Sequence, residues 1–398
     1  MVQSRHAQDK TRQQVFVCSP DLKNVHDVFN ISLMSRPRTP LPPVDPTLRT
    51  RGRGTAAQPA PRYDVLSREW EHDGWDMDEE ERAVQREVSF EKPRSVISWN
   101  RSPDLGFDRA VNPYRGCEHG CIYCYARPTH AYLGLSPGLD FETRLIARPD
   151  AAAVLAKELG RKSYTVAPLA LGSNTDPWQP IESTHRITRS LLEVLRDWRH
   201  PVTITTRGAL IERDLDILSD MAALNLVEVG ISLTTLDAGL ARAMEPRAPT
   251  PARRLGMIRA LADAGIPVRL MMGPIIPGLS DHEIEPILKA ARDAGARVAW
   301  WSLLRLPREV SPLFQEWLEE HRPGHAVKVM ARLREMRGGQ DNDGAFHSRF
   351  RGQGSMAALL RQRVKLARKR LGYEARLPEL SCDLFKAPPR PGDQLTLF

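Results

Sequence analysis

Cysteine is scarce in this chain, and the few cysteines do not form the pattern of a disulfide framework. There are five in 398 residues, and Cys18 and Cys382 lie far from the other three. A disulfide-stabilised protein instead spreads an even number of cysteines along its length. The clustered three, between Cys117 and Cys124, are therefore predicted to bind a metal.

Long apolar runs are also missing. No stretch approaches the roughly 20 apolar residues that a membrane-spanning helix needs. The initial MVQSRHAQDK is polar, whereas a secretory signal is basic and then apolar. We therefore expect a cytoplasmic protein without a membrane partner. What is present is a hydrophobic share of 41%, enough for one substantial core, and a formal net charge of +8, which favours a polyanionic partner such as nucleic acid.

Composition divides the chain into segments. Residues 1–60 contain a stretch rich in proline, arginine and small residues without apolar periodicity, which predicts a disordered arm. Residues 61–104 form an N-terminal extension with an acidic stretch. The main domain is predicted over 105–322, and a helical C-terminal extension over 323–385. Residues 386–398 begin with a proline-rich spacer and are predicted to be a flexible tail.

Short β-branched runs alternate with helical stretches in the main domain. Strands are expected in RAVNPYRG, YTVAPLALG, PVTITT, LVEVGISLT, PVRLMMGPI and RVAWWSLL. Such alternation predicts parallel strands joined by right-handed crossovers, in a barrel or a doubly wound sheet. Polar and glycine-rich loops follow nearly every strand, which favours a barrel, because a doubly wound sheet would concentrate them at one switch point. We therefore predict an α/β fold with a partial (β/α)6 TIM-like barrel.

The clustered thiols Cys117, Cys121 and Cys124 have the spacing C-x3-C-x2-C. Three thiolates on one loop suit an iron–sulfur cluster that keeps one iron open for a small molecule. A structural zinc site needs four ligands, so here it would require His119 or His130 as the fourth. A catalytic thiol is the remaining alternative.

With Tyr123 immediately before the last of these cysteines and barrel-like units after it, the sequence resembles the radical S-adenosylmethionine (SAM) superfamily. Residues 105–310 resemble its spore photoproduct lyase branch, and the chain from RGRG onward resembles an uncharacterised bacterial group within that branch. The resemblance implies a 4Fe-4S cluster on Cys117, Cys121 and Cys124, with SAM on the open iron. It also implies that one electron from a cellular donor cleaves SAM to methionine and a 5′-deoxyadenosyl radical, which abstracts hydrogen from the substrate.

The resemblance further implies which residues hold SAM. Tyr123 would contact the adenine, and Asp176 in GSNTDP the amine. Arg207 in TTR would pair with the carboxylate, Ser232 in ISLTT would contact the ribose, and Glu245 belongs to a Glu-Pro pair of this branch. Four of these residues also have a structural interpretation. Tyr123 would shield the cluster, and Asp176 would form an Asx turn. Arg207 would be an exposed loop arginine, and Ser232 would bond to backbone.

One feature departs from the lyase pattern. Photoproduct lyases carry a further cysteine beside the second-strand loop as hydrogen-atom donor, and the corresponding position here is close to Ser173. A serine O–H bond is too strong to replace the thiol, and Cys382 would have to fold back toward the site to do so. The substrate therefore stays open.

The C-terminal extension contains SMAALLRQRVKLARKRLG, which places an apolar stripe on one helical face with basic residues around the rest. The stripe is expected to dock on the barrel, and the basic face either contacts phosphates or is solvated. The final QLTLF resembles the motif by which bacterial repair and replication proteins bind the DNA sliding clamp. That resemblance implies a clamp contact through Gln394, Leu395, Leu397 and Phe398, with packing of this tail against the barrel as the alternative.

The preferred hypothesis is a radical SAM enzyme that acts on nucleic acid, at a DNA lesion or a modified base. The second keeps the radical chemistry but directs it at a small molecule or a protein side chain. The third is a non-catalytic metal-binding partner of the sliding clamp.

Overall fold

The computed structural model describes residues 48–49, 52–63 and 82–388. Its strands, in chain order, are β1 (Leu48–Arg49), β2 (Arg82–Ala83), β3 (Glu87–Phe90), β4 (Ile97–Trp99), β5 (Arg109–Val111), β6 (Tyr114–Arg115), β7 (Arg144–Ala147), β8 (Leu169–Leu171), β9 (Val202–Thr206), β10 (Val227–Ser232), β11 (Val268–Ile275) and β12 (Val298–Leu303).

The main sheet has seven strands in the order β12-β11-β10-β9-β8-β5-β4. Strands β5, β8, β9, β10, β11 and β12 are parallel, and only β4 runs antiparallel to its neighbour. The parallel strands lie side by side in chain order, with no reversal that would make the switch point of a doubly wound sheet. The predicted partial (β/α)6 barrel is therefore confirmed.

Helices cover the outer face of this sheet. They are α1 (Asp140–Thr143), α2 (Ala151–Leu159), α3 (Glu182–His185), α4 (Ile187–Asp197), α5 (Leu215–Ala223), α6 (Ala238–Met244), α7 (Pro251–Asp263), α8 (Ile284–Asp293), α9 (Val310–His321), α10 (Pro323–Glu335), α11 (Ser348–Arg351) and α12 (Gly354–Arg370). In α4, the buried Ile187, Leu191 and Leu195 recur every four residues, which gives the helix one apolar face for the sheet. Helix α7 begins with a cap in which the Thr250 hydroxyl accepts from the Arg253 amide.

The barrel interior is partly open to solvent. Along β9, Val202 and Ile204 are fully buried beneath the helices, whereas the alternate residues Thr203 and Thr205 are only half-buried. The same alternation recurs in β11 and in most of β12. Because successive strand residues point to opposite faces, the half-buried set faces the interior. These half-buried side chains therefore line the inner face of the barrel sheet.

Strand β3 of the N-terminal extension joins β7 and β6 of the main domain in a three-stranded sheet, in the order β3-β7-β6. Residues 52–60 pack onto the main domain: Ala57 is buried, its carbonyl accepts from the amide of Leu139, and the Pro59 carbonyl accepts from the hydroxyl of Ser136. Packed structure therefore begins before residue 60, where the composition predicted a disordered arm. The rest of that arm lies outside the described residues.

The C-terminal extension consists of α10, α11 and α12. The predicted apolar stripe of α12 is buried at Leu360, Val364 and Ala367, and the helix packs against α8. The proposed clamp residues Gln394, Leu395, Leu397 and Phe398 lie outside the described residues. Within the described ranges, no helix is both long and apolar enough to cross a bilayer.

Candidate active site

The cysteine loop follows the first parallel strand, at the carboxyl end of the barrel. Its backbone is folded tightly: the Cys117 amide donates to the Phe141 carbonyl at 2.9 Å and the Cys124 amide to the Cys121 carbonyl at 3.2 Å. Gly120 has a φ of +67°, and a Cβ there would lie 2.5 Å from a carboxylate oxygen of Glu142. Only glycine fits this turn, which brings the loop close to that carboxylate.

The buried side chain of Arg127 fixes the backbone of the cysteine loop. The guanidinium of Arg127 donates to the carbonyl of Cys121 at 2.9 Å and to that of Gly120 at 3.2 Å, and it pairs with the carboxylate of Glu142. Both charged side chains are fully buried. The other carboxylate oxygen of Glu142 accepts from the Gly54 amide at 2.8 Å. One carboxylate thus joins residues 52–63 to the cysteine loop.

The three thiols share one buried environment. Cys117 and Cys121 are buried and Cys124 is half-buried. Burial raises the pKa of all three, to about 12 for Cys121, and the charges of Asp176 and the other two thiols raise that of Cys117 further. The guanidinium of Arg207 lies 2.7 Å from the sulfur of Cys121. Metal binding deprotonates such thiols, so this donor set is suited to a metal centre.

The arrangement fits a cluster better than a single ion. Among the described residues, no group of three or more His, Cys, Asp or Glu side chains surrounds one point closely enough to hold one metal ion. A 4Fe-4S cluster takes its thiolates on separate iron atoms, so its ligands lie farther apart. The Nε2 atom of His130 is hydrogen-bonded to the Arg144 carbonyl at 2.9 Å. The Nδ1 atom of His119 lies 3.4 Å from a carboxylate oxygen of Asp176. The structure gives no support to the zinc alternative.

Asp176 lies at the carboxyl end of β8 and is ionised. One carboxylate oxygen accepts from the Thr206 hydroxyl at 2.6 Å, and the other from the Arg207 amide at 2.8 Å. Burial alone would raise its pKa, but the charge and hydrogen bond of His119, with these other donors, lower it to about 2. The Asx turn of the structural interpretation is also present, since the Trp178 amide donates to the same side chain at 2.9 Å. The charge is thus held beside the cysteine loop.

Glu245 connects two other predicted site residues, Tyr123 and Arg207. Its carboxylate accepts from the Tyr123 hydroxyl, from Arg207 at 3.0 Å and from the Thr234 hydroxyl at 3.1 Å, and it pairs with Arg254. Burial favours the neutral acid, but the charges of Arg254 and Arg207 lower the pKa of Glu245 to about 2. Tyr123, Arg207 and Glu245 therefore form one hydrogen-bonded group beside Cys121.

Ser232 ends β10 at the same end of the barrel and is buried. Its carbonyl accepts from Arg254 at 3.2 Å, while its hydroxyl makes no hydrogen bond to the described residues. Thr234 and Arg254 belong to this group, although sequence reasoning did not single them out. Thr234 is the last residue of ISLT, two residues after Ser232, and had a signal of position, whereas Arg254 lies in a helical run of basic residues and had none.

The lyase cysteine has no counterpart here. At its expected position, the Ser173 carbonyl accepts from the Tyr125 hydroxyl, and the Ser173 hydroxyl accepts from Asn112 at 3.3 Å. Cys382 does not fold back to replace it. The amide of its neighbour Ser381 donates to the Asn225 carbonyl, in the turn that precedes β10. Cys382 therefore lies at the amino ends of the strands, opposite the cysteine loop.

Comparisons with known proteins show the family of this chain. The family model of the radical SAM superfamily matches residues 111–291. An uncharacterised protein of Mycobacterium tuberculosis is 35% identical over 254 residues, which span 63% of this chain and 74% of that protein. The chain belongs to the radical SAM superfamily. An uncharacterised protein of Methanocaldococcus jannaschii is 28% identical over 192 residues, which span 48% of this radical SAM protein and 69% of the relative.

Solved structures of spore photoproduct lyase share the fold. One, complexed with a dinucleoside spore photoproduct, has a TM-score of 0.51 at 14% identity and covers 72% of this chain and 80% of its own. Another, with bound AdoMet and the same photoproduct, has a TM-score of 0.50 at 14% identity over the same shares. The protein is thus an enzyme of the radical SAM type, and its family implies SAM and a 4Fe-4S cluster as cofactors.

Proposed function

We propose that this enzyme cleaves SAM reductively and uses the resulting 5′-deoxyadenosyl radical on nucleic acid, at a DNA lesion or a modified base. The observation that carries the first half is the meeting of the three clustered thiols, two of them buried and one half-buried, with Asp176, Arg207 and Glu245 at one end of the barrel. When bound, the 4Fe-4S cluster supplies one electron to the SAM sulfonium, whose C–S bond breaks to give methionine and the radical.

The residues of the site have separate tasks in this proposal. Cys117, Cys121 and Cys124 hold the cluster as thiolates. Asp176, ionised and buried, accepts hydrogen bonds from the SAM amine. Burial lowers the pKa of Arg207, but the charges of Cys121, Tyr123 and Glu245 raise it by more, so the guanidinium stays charged. Arg207 then pairs with the SAM carboxylate. The barrel strands wall the radical off from side reactions with other molecules.

Tyr123, Ser232 and Glu245 shape the rest of the SAM site. The Tyr123 hydroxyl is held by Glu245, which fixes the ring beside the cysteine loop for the adenine. The free hydroxyl of Ser232 is available to the ribose. Glu245 acts by positioning, since Tyr123, Arg207 and Arg254 share its carboxylate. The cellular electron donor is a further partner in this proposal.

Two features support a nucleic-acid substrate. The net charge of +8 favours binding to phosphates. One solved lyase that shares the fold is complexed with a dinucleoside spore photoproduct. The clamp-like residues Gln394, Leu395, Leu397 and Phe398 support the same context, and we include a sliding-clamp contact in the proposal. Pull-down of the clamp by the full chain, lost when residues 394–398 are removed, tests that contact.

The test of the chemistry is anaerobic reconstitution with iron and sulfide, followed by dithionite and SAM, with 5′-deoxyadenosine as the product measured. Wild type is expected to form it and Cys121→Ala to lose it, whereas Cys382→Ala, at the far end of the barrel, keeps it. A wild-type protein that holds its cluster but forms no deoxyadenosine refutes the catalytic proposal and leaves the binding role. Damaged oligonucleotides, free nucleosides and peptides are then compared as substrates, which separates nucleic acid from the small-molecule and protein alternatives.

A further inference from the structure

Several arginines gather at the side of the barrel formed by β12 and α11. Arg349 pairs with Asp104 at 2.7 Å. Arg337 donates to the carbonyls of Leu304 at 2.6 Å and Arg349 at 2.7 Å. Arg351 donates to the Trp301 carbonyl at 2.8 Å. Each of these guanidinium groups thus has an acceptor within the protein.

Arg305 differs from them. Across the described ranges, its guanidinium makes no hydrogen bond or ion pair, and its Nε is buried without a partner. Burial and the neighbouring Arg349 lower the pKa of Arg305 to about 10. The residue is half-buried, and Asp104 and Asp343 raise its pKa only through space, without a hydrogen bond or ion pair to its guanidinium. A partly buried guanidinium without a direct acceptor is costly. What this guanidinium lacks is a negatively charged hydrogen-bond acceptor.

The position of Arg305 indicates where such an acceptor would come from. It follows β12 directly, at the carboxyl end of the barrel where the cysteine loop lies. Tyr125, next to the last cysteine and 40% exposed, is near enough to act on it electrostatically. The guanidinium thus borders the interior space near the cysteine loop, on the side of the sixth strand.

Aromatic rings surround this position. Arg305 lies over the ring of Phe350 at 5.0 Å, and Arg349 lies 4.9 Å from the same ring. Phe350 in turn meets Trp300 edge to face at 5.6 Å. Half-buried aromatic rings interleaved with arginines are the recurring means by which proteins bind unstacked bases and the phosphates between them. A peptide carboxylate would need the arginine but not the rings.

We infer that Arg305 binds a phosphodiester group of the nucleic-acid substrate, next to a base that contacts Phe350 and Trp300. This rests on the proposed function and adds to it the residue and the chemical group by which the substrate is held. It predicts a substrate of at least two linked nucleotides, because a free nucleoside has no phosphate for Arg305 to bind. The phosphodiester replaces the acceptor that the folded chain does not supply.

The test is binding of a short fluorescein-labelled oligothymidylate to the reconstituted full chain, by anisotropy, at several salt concentrations and without reductant. Arg305→Gln is expected to weaken binding by about tenfold to a hundredfold, as a lost charged hydrogen bond does, and to lower the salt slope by about one phosphate. Arg305→Lys is expected to lie between. Arg259→Gln, which makes the same charge change on the exposed side of α7, is expected to change binding by less than about threefold.

Thermal unfolding separates this role from a structural one. Because Arg305 has no hydrogen-bond or ion-pair partner among the described residues, Arg305→Gln is expected to unfold at about the wild-type temperature or above it. Loss of an arginine needed for folding would lower that temperature. Equal oligonucleotide binding by wild type and Arg305→Gln overturns the inference. So does Arg305-dependent binding of an acidic peptide of matched charge in place of the oligonucleotide.

The outcome is independent of the radical chemistry. Binding is measured without SAM cleavage, and deoxyadenosine formation is measured without the oligonucleotide. A protein that binds the oligonucleotide through Arg305 but forms no deoxyadenosine refutes the proposed function alone. A protein that forms deoxyadenosine and binds the oligonucleotide without help from Arg305 refutes the inference alone.

Discussion

Replacing Glu245 by glutamine removes the negative charge that Arg254 and Arg207 share. Burial favours the neutral acid, yet these two guanidinium groups lower the pKa of Glu245 from 4.5 to about 2. A shift of this size stabilises the folded state by about 3 kcal/mol at neutral pH, since each pKa unit corresponds to about 1.4 kcal/mol. Because the pKa is lower in the folded protein, the contribution is complete above the unfolded value and is lost as the pH falls toward 2.

The hydrogen bonds of the Glu245 carboxylate predict a similar loss of stability. Both carboxylate oxygens of Glu245 are in use, one by Tyr123, Thr234 and Arg207 and the other by Arg254. In either orientation, the amide nitrogen of a glutamine would face a guanidinium donor. Breaking a buried ion pair from one side costs about 3 to 5 kcal/mol. We therefore expect Glu245→Gln to lower the free energy of unfolding by about 3 kcal/mol.

Urea unfolding of the cluster-free protein at pH 7 measures this loss. Glu212→Gln is the matched control, because Glu212 pairs with Arg253 at the surface, where the arginine side chain is 46% exposed. The free energy of unfolding of Glu212→Gln is expected to fall by less than about 1 kcal/mol. At pH 4 the difference in free energy of unfolding between wild type and Glu245→Gln should narrow by about 1 kcal/mol, because the Glu245 carboxylate of the unfolded wild type takes up a proton. A loss at pH 7 no larger than that of the control would refute the reasoning.

Three further outcomes follow from the site and its supports. Asp176→Asn is expected to weaken SAM binding by about tenfold or more in equilibrium dialysis, because a charged acceptor is lost; unchanged affinity would remove Asp176 from the SAM site. Burial lowers the pKa of His200 to about 4, so the folded protein resists its protonation. Between pH 7 and pH 5, wild type should lose about 2 kcal/mol of stability that His200→Gln does not lose, and parallel curves would contradict this. A Cβ on Gly54 would lie 1.8 Å from the Gly120 carbonyl, whereas one on Gly106 meets nothing within 4 Å. Limited proteolysis should therefore cut residues 52–63 faster in Gly54→Ala than in Gly106→Ala, and equal rates would argue against the packed segment.

The strands were predictable because β-branched and apolar runs are bounded by turn residues. PVTITT and LVEVGISLT contain the observed Val202–Thr206 and Val227–Ser232. Prolines explain the two strands that are shorter than expected. A strand within YTVAPLALG begins only after Pro168, and Pro113 divides RAVNPYRG between two sheets. Proline has no amide hydrogen to donate to a neighbouring strand.

The site was predictable only where its residues are close in sequence or match a family pattern. The three thiols lie on one loop, so their spacing alone predicted a metal centre. The group around Glu245 joins Tyr123 and Arg254 across the folded barrel, and no local pattern carries that pairing. Arg254 lies within a basic helical stretch that is typical of a solvated face, yet it is almost fully buried. Arg305 had no signal, because what distinguishes it is the lack of a partner, which only the fold reveals.

The order of the barrel strands along the chain has a consequence for biosynthesis. The cysteine loop follows the first strand, whereas Arg207, Glu245 and Arg254, which close over it, follow the third and fourth strands. Chains emerge from the ribosome with their N-terminal parts first. The thiols are therefore synthesised well before the residues that bury them, and they are open to iron delivery while the nascent chain grows.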